Sequence, residues 1–125
     1  MQIPLPVDQL TSDFVFSDDN SAVQTLNGIY AQMITQDQQF CSGNTTLFAG
    51  MYADELYYYT PGFQDEFVND QITLVNHGYI ESSFWTPSYK YIYDANKCIE
   101  GVTGVNSISS PTKRMIIGEA RFIRA

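Results

Sequence analysis

The sequence predicts a mainly α fold, made of helices separated by long irregular loops. Three sets of apolar residues carry that expectation. Ala22, Leu26, Ile29 and Met33 recur at steps of four, three and four. Trp85, Tyr89, Ile92, Asn96 and Ile99 recur at steps of four, three, four and three, and Ile116, Ala120 and Ile123 continue the same rhythm. Each set falls on one face of a helix with 3.6 residues per turn.

Residues 1–16 hold Pro4 and Pro6 and no helical period, which favours an extended lead-in. The first helix is expected over 17–36. Ser17 is placed as its N-cap, and Asp18 and Asp19 put negative charge at the positive end of the dipole. Val23 and Tyr30 widen its stripe, and Gly28 inside it is expected to permit close packing of a neighbour. Residues 37–47 are polar and turn-rich and read as a loop. From Leu47 to Tyr59 the chain is nearly all apolar or aromatic. Leu47, Met51 and Asp54-Glu55 fit a short helix there, whereas Tyr57, Tyr58 and Tyr59 fit something extended. Thr60-Pro61-Gly62 ends the stretch. Residues 61–80 have mixed polarity and read as an irregular functional loop. A helical hairpin is expected over 83–125. Ser83 opens its first helix, Pro87 sits in the first turn, and Gly101 is placed as the C-cap. A polar linker spans 101–110, and Ser110-Pro111 restarts a helix whose pattern is still running at Ala125.

Composition narrows the function classes. The chain of 125 residues has a formal net charge of −8 and no basic stripe, which excludes nucleic-acid binding through phosphates. An apolar fraction of 44 % is too high for disorder. The opening residues have neither a basic n-region nor an apolar h-region, so no signal peptide is expected within the chain.

The Trp/Tyr helix followed by a Gly-Ala-Phe helix is similar to one tetratricopeptide unit. More specifically, Trp85-x3-Tyr89-x2-Ile92-x2-Ala95-Asn96-x2-Ile99 together with Gly118-Glu119-Ala120-Arg121-Phe122-Ile123-Arg124-Ala125 resembles the N-terminal part of SusD/RagB proteins. Two further motifs stand in the same order: Phe16…Asp19-x-Ser21-Ala22…Asn27-Gly28-Ile29-Tyr30, and Ala53-Asp54-Glu55-Leu56. Together they span roughly residues 5–125. The resemblance implies a non-catalytic glycan-binding lipoprotein of the Bacteroidetes outer membrane, surface-exposed and held by a lipidated cysteine. It implies oligosaccharide and a SusC-like TonB-dependent transporter as partners, and no cofactor. It also implies that this chain is the first portion of a longer protein, truncated within a helix, with the lipid-bearing cysteine before Gln2.

In such proteins the loop after the Asp-Glu motif lends an aromatic ring to the glycan site. The resemblance thus points to Tyr58, Tyr59 and Phe63, with Tyr57 and Asp54 beside them. A sugar's apolar C–H face stacks on a flat ring, and a tyrosine adds a hydroxyl. The bland reading is that some of these rings cover the core. Adjacent Asp54 and Glu55 do not offer the facing carboxyls a glycosidase needs, so no catalytic residues are expected. His77 has no partners at metal-ligand spacing, and Asp65, Glu66 and Asp70 lack the periodic ligands of a calcium loop, so no metal is expected. Trp85 reads as core, and Asn96 as bonded to a neighbouring backbone. Cys41 and Cys98 allow one disulfide or two free thiols. Arg121 and Arg124 complement a helix dipole. The apolar face at the end of the chain predicts self-association, which a monomeric mass by light scattering would refute. The alternative function is a helical scaffold that docks on the transporter without touching sugar.

Overall fold

The structure is a computed structural model of the chain, and it describes residues 15–36, 40–75 and 77–125. The extended lead-in expected at 1–16 lies almost wholly outside the described residues. Those described are mainly helical, with no strand among them. The helices are α1 (Asp19–Thr35), α2 (Thr45–Tyr52), the single turns α3 (Asp65–Val68) and α4 (His77–Ile80), then α5 (Thr86–Gly104) and α6 (Ser110–Arg124). Two π-turns, Phe40–Asn44 and Glu81–Trp85, lead into α2 and α5. Two compact units result. One joins the described part of Met1–Gly28 to Asp94–Ala125, and the other is Ile29–Tyr93.

In the first unit the core is Phe16, Ala22, Leu26, Ala95, Cys98, Val102, Ile108, Ile116 and Ala120, all buried. Full burial of a side chain such as Leu26 or Ile116 is worth about 1.5–3 kcal/mol. The cap of α1 is Asp18, one residue later than expected: its carboxylate accepts the backbone N–H of Asn20 (2.8 Å) and Ser21 (3.0 Å). Ser17 instead donates its hydroxyl to Asp18 (3.2 Å). Gly28 has no neighbour close to where a Cβ would stand, so it is not a packing notch. Gly101 is one. It lies inside α5 rather than at its end, and a Cβ there would come 2.0 Å from the Phe16 ring.

α5 and α6 run antiparallel, because Lys113 reaches the Val105 carbonyl while Arg124 donates to Asn96 Oδ1 at 3.1 Å. Asn96 therefore bonds a guanidinium and not a neighbouring backbone. The start of α6 is also shifted by one residue. Ser109 takes the extended cap conformation, placing Pro111 within the first turn. The cause is tertiary. Asp19 accepts the N–H of Ser109 (2.7 Å), its hydroxyl (2.6 Å) and the hydroxyl of Thr112 (2.9 Å). Ser109's hydroxyl and then its N–H hold the Asp19 carboxyl below its usual range.

In the second unit, Phe48, Met51 and Phe67 form a buried cluster. Phe48 and Phe67 stack with centroids 4.7 Å apart. The segments read as loop at 37–47 and 61–80 contain helix: the π-turn and start of α2 in the first, α3 and α4 in the second. α3 brings Phe67 into the buried cluster with Phe48 of α2. Helical backbone likewise begins before Ser83, running unbroken from His77 through α4 and the second π-turn into α5. Pro87 has no N–H to offer the Ser83 carbonyl four residues back. The chain widens there into the π-turn, where Thr86 N–H bonds the Glu81 carbonyl five residues back.

Candidate functional site

The candidate residues follow α2. The helix ends in a Schellman-type turn. Glu55 N–H and Leu56 N–H both reach the Gly50 carbonyl, at 2.9 and 3.0 Å. Asp54 supplies the left-handed residue this turn requires, with φ 59°. Leu56 folds back over Gly50, where a Cβ would stand 2.7 Å from its Cδ1. The backbone of Asp54 thus shapes the loop, while the side chains of Asp54 and Glu55 point to solvent.

Leu56 to Tyr59 form no regular element, yet their side chains alternate as in an extended chain. Tyr58 is half-buried against the Phe48–Met51–Phe67 cluster. Tyr57 and Tyr59 stand on the other side, 67 % and 88 % exposed. Their rings meet edge to face, with centroids 5.0 Å apart and planes at 70°. Phe63 does not join them. It is packed on the same core cluster, and its ring stacks on Tyr79 at 3.7 Å with planes 2° apart. Of the candidate rings, then, the structure brings together Tyr57 and Tyr59, and commits Tyr58 and Phe63 to packing.

Trp85 and Tyr89, read as core, are exposed. The buried face of α5 is Tyr91, Ala95, Cys98 and Val102. Tyr89 precedes Tyr91 by two residues and so stands about 160° around the helix from it. Trp85 (63 % exposed), Tyr89 and Tyr93 make an outward aromatic stripe, in which the first two rings lie 4.8 Å apart. The small residues Ala95 and Cys98 were the signal that could have placed the buried face correctly.

The acidic residues at 65–70 serve structure. Asp65 accepts Gly62 N–H (3.2 Å), and Glu66 accepts Thr73 N–H (2.7 Å) and its hydroxyl (3.2 Å). Asp70, at φ 54°, closes α3 as Asp54 closes α2. His77 opens α4. Among the described residues no three His, Cys, Asp or Glu side chains converge in a way that could hold a metal ion. Both cysteines are free thiols, Cys41 exposed and Cys98 buried, and burial pushes the Cys98 thiol up to about 11. Beside the core lies a shallow apolar groove of about 320 Å³, lined by Phe48, Tyr52, Phe67, Ile72 and Phe84 among others. No helix among the described residues is long and apolar enough to cross a membrane. Comparison with models of protein families, with curated proteins and with solved structures finds no match to this chain.

Proposed function

We propose that the chain is a non-catalytic oligosaccharide-binding segment of a lipid-anchored outer-membrane protein that delivers glycan to a SusC-like TonB-dependent transporter. The observation that carries this reading is the Tyr57–Tyr59 pair. Two adjacent rings stand in solvent, outside the core cluster, 67 % and 88 % exposed and in edge-to-face contact. The ordered motifs that resemble SusD/RagB proteins support it, because the pair follows the Asp-Glu motif at which that family places an aromatic.

Each ring stacked on a sugar contributes about 1 kcal/mol, so replacing both lowers affinity roughly thirtyfold. The test is a glycan array on the full chain, followed by calorimetry on Tyr57→Ala/Tyr59→Ala. Loss of binding with an unchanged helical spectrum supports the reading. Full affinity in the double variant refutes it.

A second reading has its own observation. The stripe Trp85, Tyr89 and Tyr93 is the kind of aromatic surface that anchors protein interfaces, which suits a scaffold docked on the transporter. Trp85→Ala/Tyr89→Ala then abolishes co-purification with the transporter, while Tyr57→Ala/Tyr59→Ala leaves it intact. Exposed Phe122 on α6 supports self-association of the same chain.

A further inference from the structure

The acidic and basic residues are not mixed along the chain. Eleven of the fourteen acidic residues, and none of the six basic ones, precede Lys90. Within the unit Ile29–Tyr93, Lys90 is the sole lysine or arginine. It is already engaged: its ammonium donates to Gln32 Oε1 at 2.6 Å and lies 4.5 Å from the Tyr91 ring centroid. The unit that carries Tyr57 and Tyr59 therefore has no uncommitted lysine or arginine to meet an anion.

The immediate surroundings have the opposite sign. Asp54 and Glu55 lie two to five residues from the two rings, and both are exposed. Neither carboxylate takes part in a hydrogen bond or ion pair among the described residues, so their charge is not neutralised locally. Acidic sugars are held by arginine or lysine, through paired hydrogen bonds to carboxylate or sulfate. A ring pair flanked by free carboxylates offers repulsion instead.

We infer that the Tyr57–Tyr59 surface takes uncharged oligosaccharides and rejects those bearing uronate, sulfate or sialate groups. This rests on the glycan-binding reading and adds the ligand's charge class to it. Stacking on the rings is indifferent to charge, so the discrimination comes from the field of Asp54 and Glu55 and weakens as salt screens it.

The test compares neutral and acidic probes on the full chain: cello-, xylo- and malto-oligosaccharides against oligogalacturonate and a sulfated oligosaccharide. An array covering neutral and acidic polysaccharides identifies binders, and calorimetry at 20 and 500 mM NaCl ranks them (about 20 and 3–5 Å of screening length). The expected result is neutral binding at least about fivefold tighter than acidic binding at low salt, with the gap narrowing at high salt. Asp54→Asn/Glu55→Gln should narrow it at low salt too, since asparagine also tolerates the left-handed backbone. Preferred binding of an acidic probe, lost in Tyr57→Ala/Tyr59→Ala, overturns the inference and leaves the glycan reading standing. Binding of no glycan of either class overturns that reading, and the inference falls with it.

Discussion

Gly101→Ala should destabilise the protein, although the same change inside an ordinary helix stabilises it. Alanine gains about 1 kcal/mol of helix propensity over glycine. At this position the new Cβ would stand 2.0 Å from Phe16 Cε2, 2.4 Å from Cδ2 and 2.6 Å from Cζ. Carbon atoms pack at about 3.5–4.0 Å, so the ring must retreat by about 1.5 Å. Phe16 is only 7 % exposed, and its carbonyl is tied to the Ser107 hydroxyl at 2.9 Å, so it has little room to move. Overpacking of this kind costs about 2–3 kcal/mol, which leaves a net loss of about 1–2 kcal/mol after the propensity gain. Urea denaturation reads this as a lower midpoint at unchanged slope. A Phe16 variant isolates the contact. Phe16→Ala alone costs about 3–5 kcal/mol, and Phe16→Leu serves where that variant is too unstable. Once the ring is gone, adding Gly101→Ala should stabilise by about 0.5–1 kcal/mol. If Gly101→Ala stabilises the parent protein, or if its sign does not reverse in the Phe16→Ala background, the packing argument is wrong.

Other outcomes follow from named contacts. Asp70 sits at φ 54°, so Asp70→Gly should raise stability by up to about 1 kcal/mol in urea melts, while Asp70→Val should lower it by about 1–2 kcal/mol. Under native conditions a thiol reagent should label Cys41 alone, and Cys98 only as denaturant unfolds the chain. No reactive thiol even after unfolding would mean that the two are bridged. Asp19 has a lowered pKa in the folded state, so its contribution is present above the unfolded carboxyl value near 4 and is lost as pH falls through the lower folded value. Asp19→Asn should therefore flatten the dependence of the thermal midpoint on pH below about 4, and an unchanged profile would exclude Asp19 as its source.

Where one face alone was apolar, the helix could be read from local spacing. α1 is such a case: Ala22, Leu26 and Ile29 are all buried. Short or all-apolar stretches gave no usable period. α2 carries Leu47, Phe48, Ala49 and Met51 in close succession, and only the demands of the core choose Phe48 and Met51 for burial. Features set by distant residues were out of reach. Gly101 looked like a C-cap because glycine usually is one near a helix end, and nothing local announces that a ring at position 16 fills the space beside it. The N-cap of α6 moved to Ser109 for the same kind of reason, through Asp19. At the candidate site the aromatic run was visible, but its parity was not. The packing of Tyr58 against the core decides that Tyr57 and Tyr59 face out.

The reversal on α5 has a physical basis. Two sets of positions on this helix and the π-turn before it recur at helical spacing. One contains the largest side chains, Trp85 and Tyr89, and size alone favours it as the inner face. The other contains Tyr91, Ala95, Cys98 and Val102, and it is the one buried. Ala95 and Cys98 let a packed neighbour approach closely, and the buried face they set continues back along the helix to Tyr91. Ile92, Asn96 and Ile99 are half-buried between the two faces. Along Trp85–Tyr93 the chain thus carries aromatic rings on two opposite faces, Tyr91 inward and Trp85, Tyr89 and Tyr93 outward. A purely solvent-facing surface gains nothing from three aromatic rings at successive turns. The stripe is consequently a better guide to an external contact than to the core, and Tyr93→Glu, outside the Trp85–Tyr89 ring pair, probes it: under the scaffold reading proposed above it should weaken co-purification, with only a small shift of the urea midpoint. A large loss of stability would show that the stripe serves folding after all.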